Sequence, residues 1–125
     1  LAVSDPYQFQ WWALGLVGAR PFEEKKGADK GIDGIRVLPG LTEGSFETMI
    51  ISVKAGKMHA TYVRDLVGVV SREKAAMGIL ISMEEPTAKM KIEAVSSGLY
   101  RKCQKIQLIT VGDLLKRKQV EIPKE

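Results

Sequence analysis

Apolar positions along the chain fall into segments with two different periods. In "SDPYQFQWWALGLVG", residues 4–18, Phe9, Trp12, Ala13 and Leu16 recur at i, i+3, i+4 and i+7, Asp5 stands at a capping position and Pro6 at the first helical one. This predicts an amphipathic helix ending near Gly18, with Trp12 in the core-facing stripe and Trp11 packing on another domain or on DNA. Residues 20–32 are rich in charge and glycine and read as a loop. "IDGIRVL" (32–38) and "FETMIISVKA" (46–55) read as strands joined by the turn "PGLTEGS", a hairpin.

Helical period returns between His59 and Met77, where Val63, Leu66, Val67 and Val70 form one stripe and Arg64, Asp65, Arg72 and Glu73 lie elsewhere on the wheel. "GILIS" (78–82) is a short continuous apolar run, as expected of a central strand buried on both faces. A helix follows in "EPTAKMKIEAVSSG", then a strand in "KIQLIT" (105–110). Thr110 and Asp113 then form a capping box for the short helix "VGDLLKRK". The predicted order is α-β-β-α-β-α-β-α, one α/β domain over residues 1–125 with a single mixed central sheet and flanking helices. The first residue is Leu1, which suggests a domain from a longer chain.

Strand alternation places Thr48, Ile50, Ser52 and Lys54 on one face of the second strand and Ile51 and Val53 on the other. If the hairpin pairs "GIDGIRV" with this strand, Asp33 and Lys54 converge at one sheet edge. They then lie beside the loop "KKGADKG", which supplies Lys25, Lys26, Asp29 and Gly31. A carboxylate that holds Mg²⁺ or Mn²⁺ by oxygen, next to a lysine that orients water, suits phosphodiester hydrolysis. The same pair also suits an ordinary salt bridge.

Composition narrows the field only modestly. The chain is 45% hydrophobic and 27% charged, which excludes a disordered segment, and its net charge is +4. The surplus sits in residues 63–125, with twelve Lys/Arg against eight Asp/Glu, whereas residues 1–62 carry seven of each. This is compatible with a polyanionic partner. The single cysteine, Cys103, excludes an internal disulfide and fits a reducing compartment. The longest apolar run, "WWALGLVGA", is too short to span a bilayer, so the expectation is a soluble, cytoplasmic protein without a membrane partner.

"GADKGIDG" followed by "IISVKAG" resembles the core of the Mrr-like restriction endonucleases of the PD-(D/E)XK superfamily. Together with "FQWWALGLVGARP", "VRDLVGVVSREKAAMGILISMEEPT" and "IQLITVGDLL", these segments also resemble the C-terminal tail domain of some bacterial site-specific DNA methyltransferases. The resemblance implies a restriction-endonuclease-like fold, DNA as partner, a methyltransferase domain in the parent chain and an oligomer as one assembly. It makes Asp33 the metal-binding aspartate, Lys54 the catalytic lysine and the Val53 carbonyl a second metal ligand. Gly31 and Gly34 would let the backbone approach a phosphate, and Lys25, Lys26, Lys57 and Arg64 would contact DNA. Ser52 departs from the pattern, because it stands where the family carries a carboxylate or glutamine. The implied function is a Mg²⁺-dependent endonuclease with a non-standard site, and the alternative is a degenerate DNA-binding module of the same fold.

Overall fold

The computed structural model of the chain describes residues 6–21 and 32–123. Four helices and seven strands follow in the order α1 (Pro6–Leu16), β1 (Arg20–Pro21), β2 (Gly34–Pro39), β3 (Phe46–Lys54), α2 (Thr61–Arg72), β4 (Met77–Ser82), α3 (Ala88–Ser96), β5 (Leu99–Tyr100), β6 (Cys103–Gln104), β7 (Ile106–Thr110) and α4 (Val111–Leu115). The main sheet runs β1-β2-β3-β4-β7, and β5 and β6 form a separate two-stranded hairpin. β1, β2 and β3 are antiparallel neighbours, while β3, β4 and β7 are parallel. The register sets Lys54 beside Ser82 and Ser82 beside Thr110, so the three parallel strands end level with one another.

The sheet is covered on both faces. α1, α4 and the β5-β6 hairpin pack on Met49, Ile51, Ile79, Ile81 and Ile109. α2 and α3 pack on Ile50, Leu80 and Ile106. β4, sandwiched between the layers, is buried at all six positions, which is why it reads as an unbroken apolar run. Its Gly78 is required by packing, because a Cβ there would lie 2.8 Å from a Val70 methyl carbon on α2. The expected capping box is present, with Thr110 Oγ1 accepting from the Asp113 N–H at 2.9 Å and the Asp113 carboxylate accepting from the Thr110 N–H at 3.2 Å.

Two helix phases differ from those expected. α1 buries Phe9, Ala13, Leu14 and Val17, leaving Trp12 37% exposed and Trp11 55% exposed. The stripe is rotated toward Leu14 because that residue fills the space over Gly34. α2 buries Val63, Leu66, Val69 and Val70, and Val67 faces outward. Among the described residues, no helix is long and apolar enough to cross a membrane.

Candidate functional site

β3 carries the site because its two edges bond different partners. The Thr48 carbonyl accepts from Ala76 N–H and the Lys54 carbonyl from Met83 N–H, so even-numbered residues of β3 turn their backbone groups toward β4. Odd-numbered residues therefore turn theirs toward β2. The Ile51 carbonyl accepts from the Asp33 N–H at 2.9 Å, one step out of the register in which Gly34 pairs with Ile51. With the backbone ladder slipped, the Asp33 side chain continues it: the Val53 N–H donates to Asp33 Oδ2 at 2.7 Å. The carboxylate thus acts as a substitute ladder acceptor where β2 stops. By the same alternation, the Val53 carbonyl projects from this edge too.

Ser52 and Lys54 lie on the opposite side of the peptide plane from Val53, facing α2. Ser52 is buried at 4% exposure. The Lys54 ammonium sits over the Tyr62 ring, 4.6 Å from its centroid, a cation–π contact that directs it to α2. Even-numbered β3 positions face α2 and α3, and α1 lies across the sheet. Ser52, Lys54, Tyr62, Asp65 and Arg72 line one cleft between β3 and α2. Among the described residues no ion pair joins Asp33 to Lys54. Sequence reasoning missed Tyr62, although its place in the first turn of α2, just beyond the loop that follows Lys54, is a signal for it.

The other expected site residues distribute as follows. Gly34 is buried inside β2, where a Cβ would collide with Leu14 and approach the Arg20 carbonyl oxygen at 2.9 Å. Its missing side chain is accounted for by α1 packing. Lys57 is exposed in the turn after β3. Arg64 is exposed on α2 and paired with Glu93 at 2.8 Å; the hydrogen bond to Glu93, then its charge, hold the Arg64 pKa above its ordinary value. His59 is exposed and meets the Tyr62 ring edge-on. Lys25, Lys26, Asp29 and Gly31 lie outside the described residues.

Among the described residues, a divalent cation at this edge would find the Asp33 carboxylate, which accepts the Val53 N–H, the neutral Val53 carbonyl and, across the strand, the Ser52 hydroxyl. That donor set does not fit Mg²⁺, which gains most from anionic oxygens and gives up its waters reluctantly. Among the described residues, no group of three or more His, Cys, Asp or Glu side chains is placed to hold a metal ion.

Comparisons with known proteins bear on the fold and the family. The DNA modification-dependent restriction endonuclease AspBHI is similar to this chain with a TM-score of 0.68 at 17% identity, over 91% of this chain. The MspJI restriction endonuclease, solved in complex with a 27-mer oligonucleotide, is similar with a TM-score of 0.58 at 16% identity, over 90% of this chain. The chain spans 31% and 27% of those proteins, and at these identities the likeness establishes a restriction-endonuclease-like fold. No curated protein matches the chain. A family model described as NACHT-associated inactive Restriction Endonuclease 1 matches residues 7–116, nearly the whole fold from α1 to α4. The chain belongs to this family of NACHT-associated inactive restriction endonucleases.

Proposed function

We propose that this domain is a non-cleaving DNA-binding module whose nuclease-like edge serves as a structural brace. The observation that carries the reading is the bond from Val53 N–H to Asp33 Oδ2, with buried Ser52 where the nuclease pattern has its second acid. Among the described residues, a site of that make-up offers a single carboxylate, short of the anionic oxygens that bind a metal and stabilise a phosphoryl transition state. The family description, which calls its members inactive, supports the same reading. DNA as partner rests on the restriction-endonuclease-like fold, the excess of Lys and Arg in residues 63–125 and the oligonucleotide bound by MspJI.

The second reading, a Mg²⁺- or Mn²⁺-dependent endonuclease using Asp33, the Val53 carbonyl and Lys54, is favoured by one observation. The Val53 carbonyl and the Asp33 carboxylate share an edge at the end of β3, level with the ends of the other parallel strands. For context in the parent chain, the sequence resemblance implies a methyltransferase domain and the family description names NACHT. We adopt the latter because the family model spans residues 7–116.

Fluorescence anisotropy with a short labelled DNA duplex tests the first reading. Binding that weakens as salt rises, with no fragmentation of the duplex in Mg²⁺ or Mn²⁺, is expected. Absence of binding at low salt would refute it.

A further inference from the structure

Four non-glycine residues among those described have left-handed backbones, and all four are basic: Lys74 (φ 56°), Arg101 (φ 50°), Lys102 (φ 74°) and Arg117 (φ 68°). Two have a local explanation. Lys74 and Arg117 each follow the C-cap of a helix, where Ala75 N–H returns to the Val70 carbonyl and Lys118 N–H to the Asp113 carbonyl. That is the position at which a helix end accepts a left-handed residue and at which the macrodipole favours a cation. α1 and α3 place Gly18 and Gly98 at their ends, with φ of 71° and 95°.

Arg101 and Lys102 have no such reason. They are the two central residues of the β5-β6 hairpin, where Leu99 pairs with Gln104 and Tyr100 with Cys103. A two-residue loop with both central residues at positive φ is the turn for which Asn-Gly is strongly preferred. Two long side chains there carry a conformational cost that Asn-Gly would avoid.

The cations at the tip form no ion pair within the described residues, although Glu121 lines a cavity with Arg101 and Lys102, and Glu43 one with Arg101. The ion pairs among the described residues join Arg64 to Glu93, Arg72 to Glu73, Lys91 to Glu85 and Lys118 to Asp113. None involves Arg101, Lys102 or Lys105, and residues 94–112 contain those three cations and no carboxylate. Arg101 is already positioned: its guanidinium lies 5.7 Å from the Tyr100 ring centroid and donates to the Pro39 carbonyl at 3.3 Å. That bond uses one of five N–H donors, leaving capacity for a two-pronged phosphate contact. The hairpin precedes β7 and so sits at the entry end of the parallel strands, away from Asp33 and Lys54 at their exit.

From this we infer that the Arg101–Lys102 tip grips DNA phosphates, a contact surface separate from the Asp33 edge. The inference rests on the DNA-binding reading above but assigns the contact to different residues. Phosphates supply the anionic partner with which neither tip cation forms an ion pair among the described residues.

The test uses Arg101→Asn/Lys102→Gly and, separately, Arg101→Gln/Lys102→Gln, with anisotropy on a short duplex and thermal unfolding of each protein. The Asn-Gly variant is expected to melt higher by roughly 3 °C or more, since it relieves the turn. Both variants are expected to bind at least about tenfold more weakly at low salt and to lose roughly two from the slope of log affinity against log salt. Wild-type binding retained by both variants overturns the inference and leaves the DNA-binding reading standing. Wild type that fails to bind overturns that reading and the inference with it. An Asn-Gly variant that binds weakly but melts lower also overturns it, because the loss would then follow from a damaged hairpin.

Discussion

Replacing Asp33 with alanine separates a brace from a metal ligand. The Asp33 carboxylate accepts the Val53 N–H at 2.7 Å where the β2 backbone has left register, so alanine strands a donor at the end of β3. A hydrogen bond to a charged acceptor contributes about 1.5–3 kcal/mol. Asp33 and Val53 are only partly buried, so water can replace some of that loss, and about 1.5 kcal/mol is the expected destabilisation. Asparagine keeps an acceptor oxygen but no charge and should lose about half as much. With a urea slope of roughly 1.5 kcal/mol per molar for a domain of this size, Asp33→Ala should lower the unfolding midpoint by about 1 M. Adding millimolar-scale Mn²⁺ should move wild type and Asp33→Ala alike. An alanine midpoint equal to wild type would refute the brace. Stabilisation by Mn²⁺ in wild type alone would assign the carboxylate to a metal instead.

Three further outcomes follow from the packing and the charges. Gly34→Ala should cost about 1–3 kcal/mol in the same urea assay, because the new methyl meets Leu14 and the Arg20 carbonyl; an unchanged midpoint would show that α1 can move away. Ser52→Glu should create Mn²⁺ affinity measurable by calorimetry where wild type has little, since it adds an anionic oxygen on the Lys54 face; no gain would mean that Asp33 and residue 52 do not converge on an ion. The Asp113 pKa is held below the ordinary carboxylate range, first by the Thr110 backbone N–H, so its stabilisation is present above the unfolded pKa of about 3.9 and is lost as pH falls through the native value. Asp113→Asn should accordingly flatten the acid limb of the stability–pH curve, and a limb as steep as wild type would refute the assignment.

The parts of the fold that sequence disclosed are those where one physical demand dominates. β4 is buried on both faces and had to be apolar throughout, and the Thr110–Asp113 pair satisfies helix-end donors that nothing else reaches. β1 escaped notice because Arg20–Pro21 has no alternation and is defined by its pairing with β2. The β5-β6 hairpin escaped because its turn lacks Gly and Asn, the residues that announce such turns. At the site, alternation correctly put Ser52 and Lys54 on one face. Which helix covers that face is a tertiary property, and Tyr62 on α2 rather than the first helix receives Lys54. The slip of register at Asp33, which sends its carboxylate to Val53, has no signature in residue order.

On this reading the domain holds DNA without cutting it. Supercoiled plasmid incubated with wild type and Asp33→Ala, each with Mg²⁺ and with Mn²⁺, tests both halves when a gel resolves retarded complexes and nicked circles in parallel lanes. Salt-sensitive retardation by wild type is expected, with nicking no greater than with Asp33→Ala in either metal. Nicking by wild type that disappears in Asp33→Ala would contradict it and establish a working nuclease.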